Sequence, residues 1–199
     1  MANLPEGARG RYFAAAAGGL IAFAAFGLFT SLASTFLAQT LGDTSRALAG
    51  ASVFAVFASA AIVQSLLGTR PARTLLLAGT ILLPLGLAFV TAAVWLPSPS
   101  VALFLVGGVV TGAGAGLLFK AMLADVIELA PPGSRAEALA GFFLASYIGL
   151  SVPVIGVGVA TDLVPARDAL LGFAALTLVG TLAVAASVVR AARVRPVRL

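Results

Sequence analysis

The chain contains neither cysteine nor histidine, and these two absences remove several kinds of chemistry at once. Without cysteine there is no thiolate nucleophile and no sulfur ligand, and nothing is said about redox compartment. Without histidine, a Ser-His-Asp triad, a histidine-ligated haem and a histidine-bound zinc are all excluded. Charge is scarce as well. Only 10% of the 199 residues are Asp, Glu, Lys or Arg, where a soluble domain carries about 25%. The aspartates Asp43, Asp125, Asp162 and Asp168 fall at the ends of apolar runs. A pair of carboxylates working at membrane depth is therefore excluded, and so is a proton or ion relay built from this chain alone. No glycine-rich loop carries the lysine of a phosphate-binding loop. Asp125 and Glu128 are too few to make an interfacial lipid-modifying enzyme attractive. The expectation is a protein with no catalytic residue, no metal ligand and no cofactor.

What the chain does have is six apolar stretches: Phe13 to Leu37, Ala47 to Leu67, Thr74 to Trp95, Val101 to Phe119, Ala138 to Ala160 and Ala169 to Val189. About 20 helical residues cross a hydrocarbon core of about 30 Å, so each stretch is long enough to span. Hydrophobic residues make up 61% of the sequence and mean hydropathy is +1.12. In lipid every backbone N–H and C=O needs an internal partner, which leaves helices or closed barrels. Barrel strands alternate over about ten residues, and these runs do not. The expected fold is an all-α polytopic membrane protein with six transmembrane helices.

Orientation follows from the cations, which are retained on the cytoplasmic side of short loops. Of the 12 Lys and Arg residues, only Arg46 and Arg167 fall on one face; Arg9, Arg11, Arg70, Arg73, Lys120, Arg135, Arg190, Arg193, Arg195 and Arg198 fall on the other. Both termini are thus expected in the cytoplasm, in the cell's inner (plasma) membrane. The net charge of +5 reads as this asymmetry, with the basic tail beside anionic headgroups, and not as a nucleic-acid patch. Arg9 and Arg11 precede the first run as in a signal peptide, but a run of this length is expected to be retained as a span.

The breaks carry punctuation. Ser134 and Glu137 have the spacing of a capping box, after the turn signals Pro131, Pro132 and Gly133. Trp95 and Tyr12 lie at span ends, where interfacial aromatics gather. In the fourth run Gly108, Gly112 and Gly116 recur every four residues, which lets a neighbouring helix approach closely. The fifth run holds Gly149 and Pro153; the proline withholds an intrahelical hydrogen bond and invites a bend. The third and sixth runs are nearly featureless and read as lipid-facing. Six spans with both ends inside suggest one bundle over 1–199, built from two inverted three-helix repeats near 12–96 and 99–190.

The stretch Gly107 to Leu118 (GGVVTGAGAGLL), the linker Ala130 to Gly141 (APPGSRAEALAG) and the following FFLASYIGLSVPVIGVGVATD resemble the major facilitator superfamily, specifically the C-terminal six-helix half of its twelve-helix transporters. The resemblance covers nearly the whole chain. The loop Gly68 to Arg73 stands where the family has a basic loop, keeping Arg70 and Arg73 but lacking the motif's aspartate and second glycine. Gly149, Pro153 and Gly156 match the antiporter motif of the fifth helix with the spacing off by one, so antiport is not carried over.

The resemblance implies alternating access, in which two six-helix bundles rock about a central site. One bundle makes half of that pathway. The chain is then expected to pair with a second copy or with a separate half, or to be a fragment of a twelve-helix transporter that is inactive alone. In the family arrangement the first and fourth helices line the cavity, and the second and fifth face the other half. Phe26, Thr30 and Ser34, with Thr111 and Tyr147, are then the candidate cavity residues, set against the plainer readings of back-bonding hydroxyls and a packing tyrosine. Family gating loops pair charges, which makes Asp125 with Arg135 or Arg70 the candidate cytoplasmic gate, set against a solvated loop. The implied cargo is a small organic solute, neutral or amphipathic, with efflux as one direction of travel. The rival is a membrane scaffold or interaction bundle that transports nothing.

Overall fold

A computed structural model describes residues 8–193; the tail cations Arg195 and Arg198 lie outside it. Six long helices follow one another: α1 (Ala8–Gln39), α2 (Arg46–Leu66), α3 (Ala72–Trp95), α4 (Val101–Leu129), α5 (Arg135–Ala160) and α6 (Ala166–Arg193). No strand occurs among the described residues. All six are long and apolar enough to cross a membrane, and large apolar side chains such as Phe54, Ile62, Leu163 and Leu176 stand exposed on the outside. With that much apolar surface turned outward, the solvent is a bilayer and the protein is a multi-pass membrane protein.

The helices start and stop for local reasons. Ser45 and Ser100 are the residues before α2 and α4, and their hydroxyls accept hydrogen bonds from the free amides of Leu48 (3.2 Å) and Leu103 (3.3 Å). Gly42, at φ 70°, reverses the chain after α1, and the amides of Leu41 and Asp43 reach back to the carbonyls of Phe36 and Leu37. The capping box expected at Ser134 does not form. A short 3-10 turn, Pro132–Ser134, leads straight into α5, and the Ser134 side chain makes no cap bond. Its hydroxyl points back to the Pro131 carbonyl, 3.5 Å away.

The fourth span is also longer than its apolar run. The expected end near Phe119 is overrun by ten residues, and α4 continues through Lys120, Asp125 and Glu128 to Leu129. Residues 120–129 contain no proline or glycine and are mostly good helix formers. Charges expected in a loop are therefore helical.

α1 and α4 are the most enclosed helices and form the centre of the bundle. α1 packs on α5, α4, α6 and α2, while α4 packs on α3, α2, α1 and α5. Glycine sets how close these pairs come. Gly79 and Gly86 of α3 face Gly107 and Gly114 of α4, each pair spaced by seven residues, and a methyl on any of them would strike the facing backbone. α3 is thus the closest neighbour of α4, against the expectation of a featureless lipid-facing helix. Gly112 and Gly116 press on Val56 and Ala60 of α2, and Gly108 meets the Phe29 ring and Val56. On the other side Gly149 of α5 sits on the backbone of Leu20, and Gly27 of α1 sits on that of Leu150. Such contacts are what hold helices together where lipid is as apolar as the core. Pro153 has no N–H for the Gly149 carbonyl, and Pro84 leaves the same gap in α3.

Candidate functional site

Aromatic residues recur at three-residue spacing on α1 and four-residue spacing on α5, which puts each pair on one face. Phe23 and Phe26 lie one turn apart on α1, Phe57 on α2, Phe119 on α4, and Phe143 and Tyr147 on α5. The fold joins them into a continuous strip. Phe57 stacks on Phe26 with centroids 4.8 Å apart and planes 18° apart. Phe26 meets Phe23 edge-on at 6.0 Å, and Phe23 meets Tyr147 at 5.7 Å and Phe119 at 5.1 Å. Phe119 continues to Phe142 and Phe143 at 5.4 and 6.1 Å. Offset and edge geometries of this kind each contribute about 0.5–1.5 kcal/mol beyond simple burial. The strip crosses four helices, and part of it is open: Phe143 is 37%, Phe57 42% and Tyr147 59% exposed.

Four of the five expected cavity residues relate to this face. Phe26 is in its centre, almost enclosed, and Tyr147 is on its rim. Thr30, one turn beyond Phe26, is exposed, with its hydroxyl turned to the carbonyls of Phe26 (3.2 Å) and Gly27 (3.1 Å). Ser34 is exposed on the next turn and borders a small hollow of about 230 Å³ with Asp43, Thr44 and Arg46. Thr111 does not belong. It is fully buried, donates to the Gly107 carbonyl at 2.7 Å, and packs on Gly86 of α3. The reason is rotational: the glycines on either side of it turn that part of α4 towards α3. Phe23, Phe57, Phe119 and Phe143 were missed; the spacing of Phe23 with Phe26 and of Phe143 with Tyr147 was the available signal for two of them, while Phe57 and Phe119 are the strip's single members on α2 and α4 and join it only through the fold.

The start of α1, the start of α3 and the ends of α4 and α6 meet at one end of the bundle. They border a cavity of about 380 Å³ whose polar lining is Arg11, Arg73, Asp125 and Glu128. Arg11 donates to the Asp125 carboxylate. Asp125 is buried, so the candidate gate residue is held inside the bundle by an α1 arginine that sequence reasoning used only for topology. Arg70 and Arg135 are both exposed at the helix ends nearby. One turn up α4, the Lys120 ammonium donates to the Gln64 carbonyl at 2.8 Å. That carbonyl is in the last turn of α2, where a cation completes the helix end and meets its dipole. The Tyr12 hydroxyl donates to the Ala138 carbonyl of α5 at 2.9 Å.

No groups of three or more His, Cys, Asp or Glu suited to a metal ion occur among the described residues. Comparison with protein families, with curated proteins and with solved structures finds no match.

Proposed function

We propose that the chain is a membrane transporter, or one half of one, of the major facilitator type, which moves a small organic solute by alternating access against a second six-helix bundle. The observation that carries this reading is the open aromatic and hydroxyl face shared by α1, α2, α4 and α5. Those are the four helices that the family resemblance assigns to the cavity and to the other half. Nothing in the described chain covers that face, and a face of stacked rings edged by Thr30, Ser34 and Tyr147 suits an apolar or amphipathic solute better than a highly charged one.

The packing gives further support. Exchanging α1 with α4, α2 with α5 and α3 with α6 turns the α1–α5 contact into the α4–α2 contact, and α3–α4 into α6–α1. That is the pattern two inverted three-helix repeats would produce. In this reading both termini and the Arg11–Asp125 end are cytoplasmic, in a cell's inner membrane, and that ion pair lies where a rocking bundle would open and close.

The deciding experiment is the mass of the purified chain in lipid nanodiscs by native mass spectrometry, followed by cysteine scanning. The chain has no cysteine of its own, so each introduced thiol is unique. The reading expects a dimer in which thiols at Thr30 and Ser34 react with a water-soluble methanethiosulfonate, while one at Thr111 does not. A monomer that stays dry at Thr30 and Ser34 would leave the non-transporting scaffold as the better account.

A further inference from the structure

Glycine does two opposite things in α5 and α6. At Gly149 it lets α5 touch the backbone of α1, whereas a methyl at Gly156 or Gly172 would meet nothing within 4 Å. These two glycines border a groove of about 520 Å³ between α1, α5 and α6. Its volume is in the range of about 300–1,000 Å³ that small-molecule sites occupy. Leu20, Ile21, Val157, Phe173 and Leu176 make its walls apolar.

One polar group interrupts them. Thr177 lines the groove and is only 6% exposed. Of the other buried hydroxyls of the helices, those of Ser52, Thr111, Ser146 and Thr181 donate to a carbonyl one turn back, at 2.6 to 2.9 Å, while that of Thr91 on α3, which does not line this groove, has no partner. Thr181 donates to the carbonyl of Thr177 itself, yet the Thr177 hydroxyl has no hydrogen-bond partner among the described residues. An unmade hydrogen bond at a buried hydroxyl costs about 1–3 kcal/mol, and no water reaches it from lipid. Thr177 is eleven residues into α6, which starts at Ala166, so about 17 Å of helix separates it from the membrane surface at that end. A lipid headgroup or ester is therefore out of its reach.

We infer that this groove binds a small apolar molecule taken up from the bilayer and carrying one carbonyl oxygen, which accepts a hydrogen bond from the Thr177 hydroxyl. The body of the ligand fills the space left by Gly156 and Gly172, against Phe173 and Ile21. The site is separate from the aromatic strip and holds whether or not the chain transports anything.

Benzophenone is a direct probe, being apolar, carrying one carbonyl and inserting into nearby C–H bonds when irradiated. The protein in phosphatidylcholine nanodiscs would be irradiated over a range of benzophenone concentrations and its adducts mapped by peptide mass spectrometry. The expected result is saturable labelling within residues 20–24, 153–160 and 169–177. Thr177→Val, which keeps the shape, should weaken half-saturation roughly 3- to 10-fold, the size of one hydrogen bond, and Thr177→Ser should restore it. Gly172→Leu should abolish labelling by filling the groove. Unsaturable labelling spread over every outward-facing helix would overturn the site. Saturable labelling that diphenylmethane, which lacks the carbonyl, competes away as well as benzophenone itself would overturn the assignment to Thr177 and leave a plain hydrocarbon, such as an acyl chain, as the occupant.

Discussion

Arg11 and Asp125 are 114 residues apart in sequence and form an ion pair between the start of α1 and the last turns of α4. It joins the two central helices at one end of the bundle, with both side chains mostly withdrawn from solvent. Removing one partner of such a pair leaves a desolvated charge and costs about 3–5 kcal/mol in fully buried cases; the partial exposure of Arg11 points to the lower end. Arg11→Met and Asp125→Asn should each lower the unfolding midpoint in detergent, and the double variant should be less destabilised than their sum. Strict additivity across that cycle would show that the two side chains do not interact.

Glycines that look alike in sequence should respond differently to the same change. At Gly149 a side chain would run into the backbone of Leu20, whereas at Gly156 it would enter open space. Gly149→Leu should cost at least the roughly 1–3 kcal/mol of an overpacked interface. Gly156→Leu should be neutral or mildly stabilising, because glycine inside a helix is about 1 kcal/mol worse than alanine. Thermal unfolding of the two variants side by side decides it; equal losses would mean that α1 and α5 are not seated as described.

The aromatic strip separates folding from association. Phe29 and Phe104 lie 5.8 Å apart, and both are enclosed. Phe57 covers one face of Phe26 and turns the other outward. Phe29→Ala should therefore lose at least the roughly 0.5–1.5 kcal/mol of an aromatic pair together with its packing. Phe57→Ala should leave the single chain nearly as stable but reduce the dimer fraction in native mass spectra. A Phe57→Ala chain that pairs as well as the parent would place the contact surface elsewhere.

Where apolar length and charge decide the outcome, the sequence could be read: six spans appear within a few residues of where the runs end, except in α4. That exception is instructive. A hydropathy run ends at the first charge, but Lys120 and Asp125 are tolerated in a helix because α2 supplies a carbonyl for one and α1 an arginine for the other. No local pattern contains those partners. The rotation of α4 was hidden for the same reason. Gly107 and Gly114 are as visible in the sequence as Gly108 and Gly112, but which set meets α3 and which meets α2 depends on the partner helices. Thr111 follows the first set into the α3 interface. The serine caps were a matter of competing signals. Ser134 had a glutamate three residues on and formed no cap, while Ser45 and Ser100 had none and did.

Sidedness is the remaining consequence of the charge pattern. Trp95 at the end of α3 donates from its indole nitrogen to the Arg167 carbonyl at 3.2 Å, and the Arg167 guanidinium sits 4.9 Å from the ring centroid. An amphipathic ring and a cation sharing one helix end are at home in the headgroup layer. Arg46 and Arg167 are the two cations of that end, while Arg70, Arg73 and Arg135 crowd the other. Translocating many cations is disfavoured, so the sparse end should be the one that crossed. Ser98 and Thr69 are exposed in turns at opposite ends and give single-cysteine reporters in a chain that has no other thiol. In intact cells a membrane-impermeant maleimide should label Ser98→Cys at once and Thr69→Cys only after lysis. The reverse result would turn the bundle over, and with it the side on which the Arg11–Asp125 pair faces.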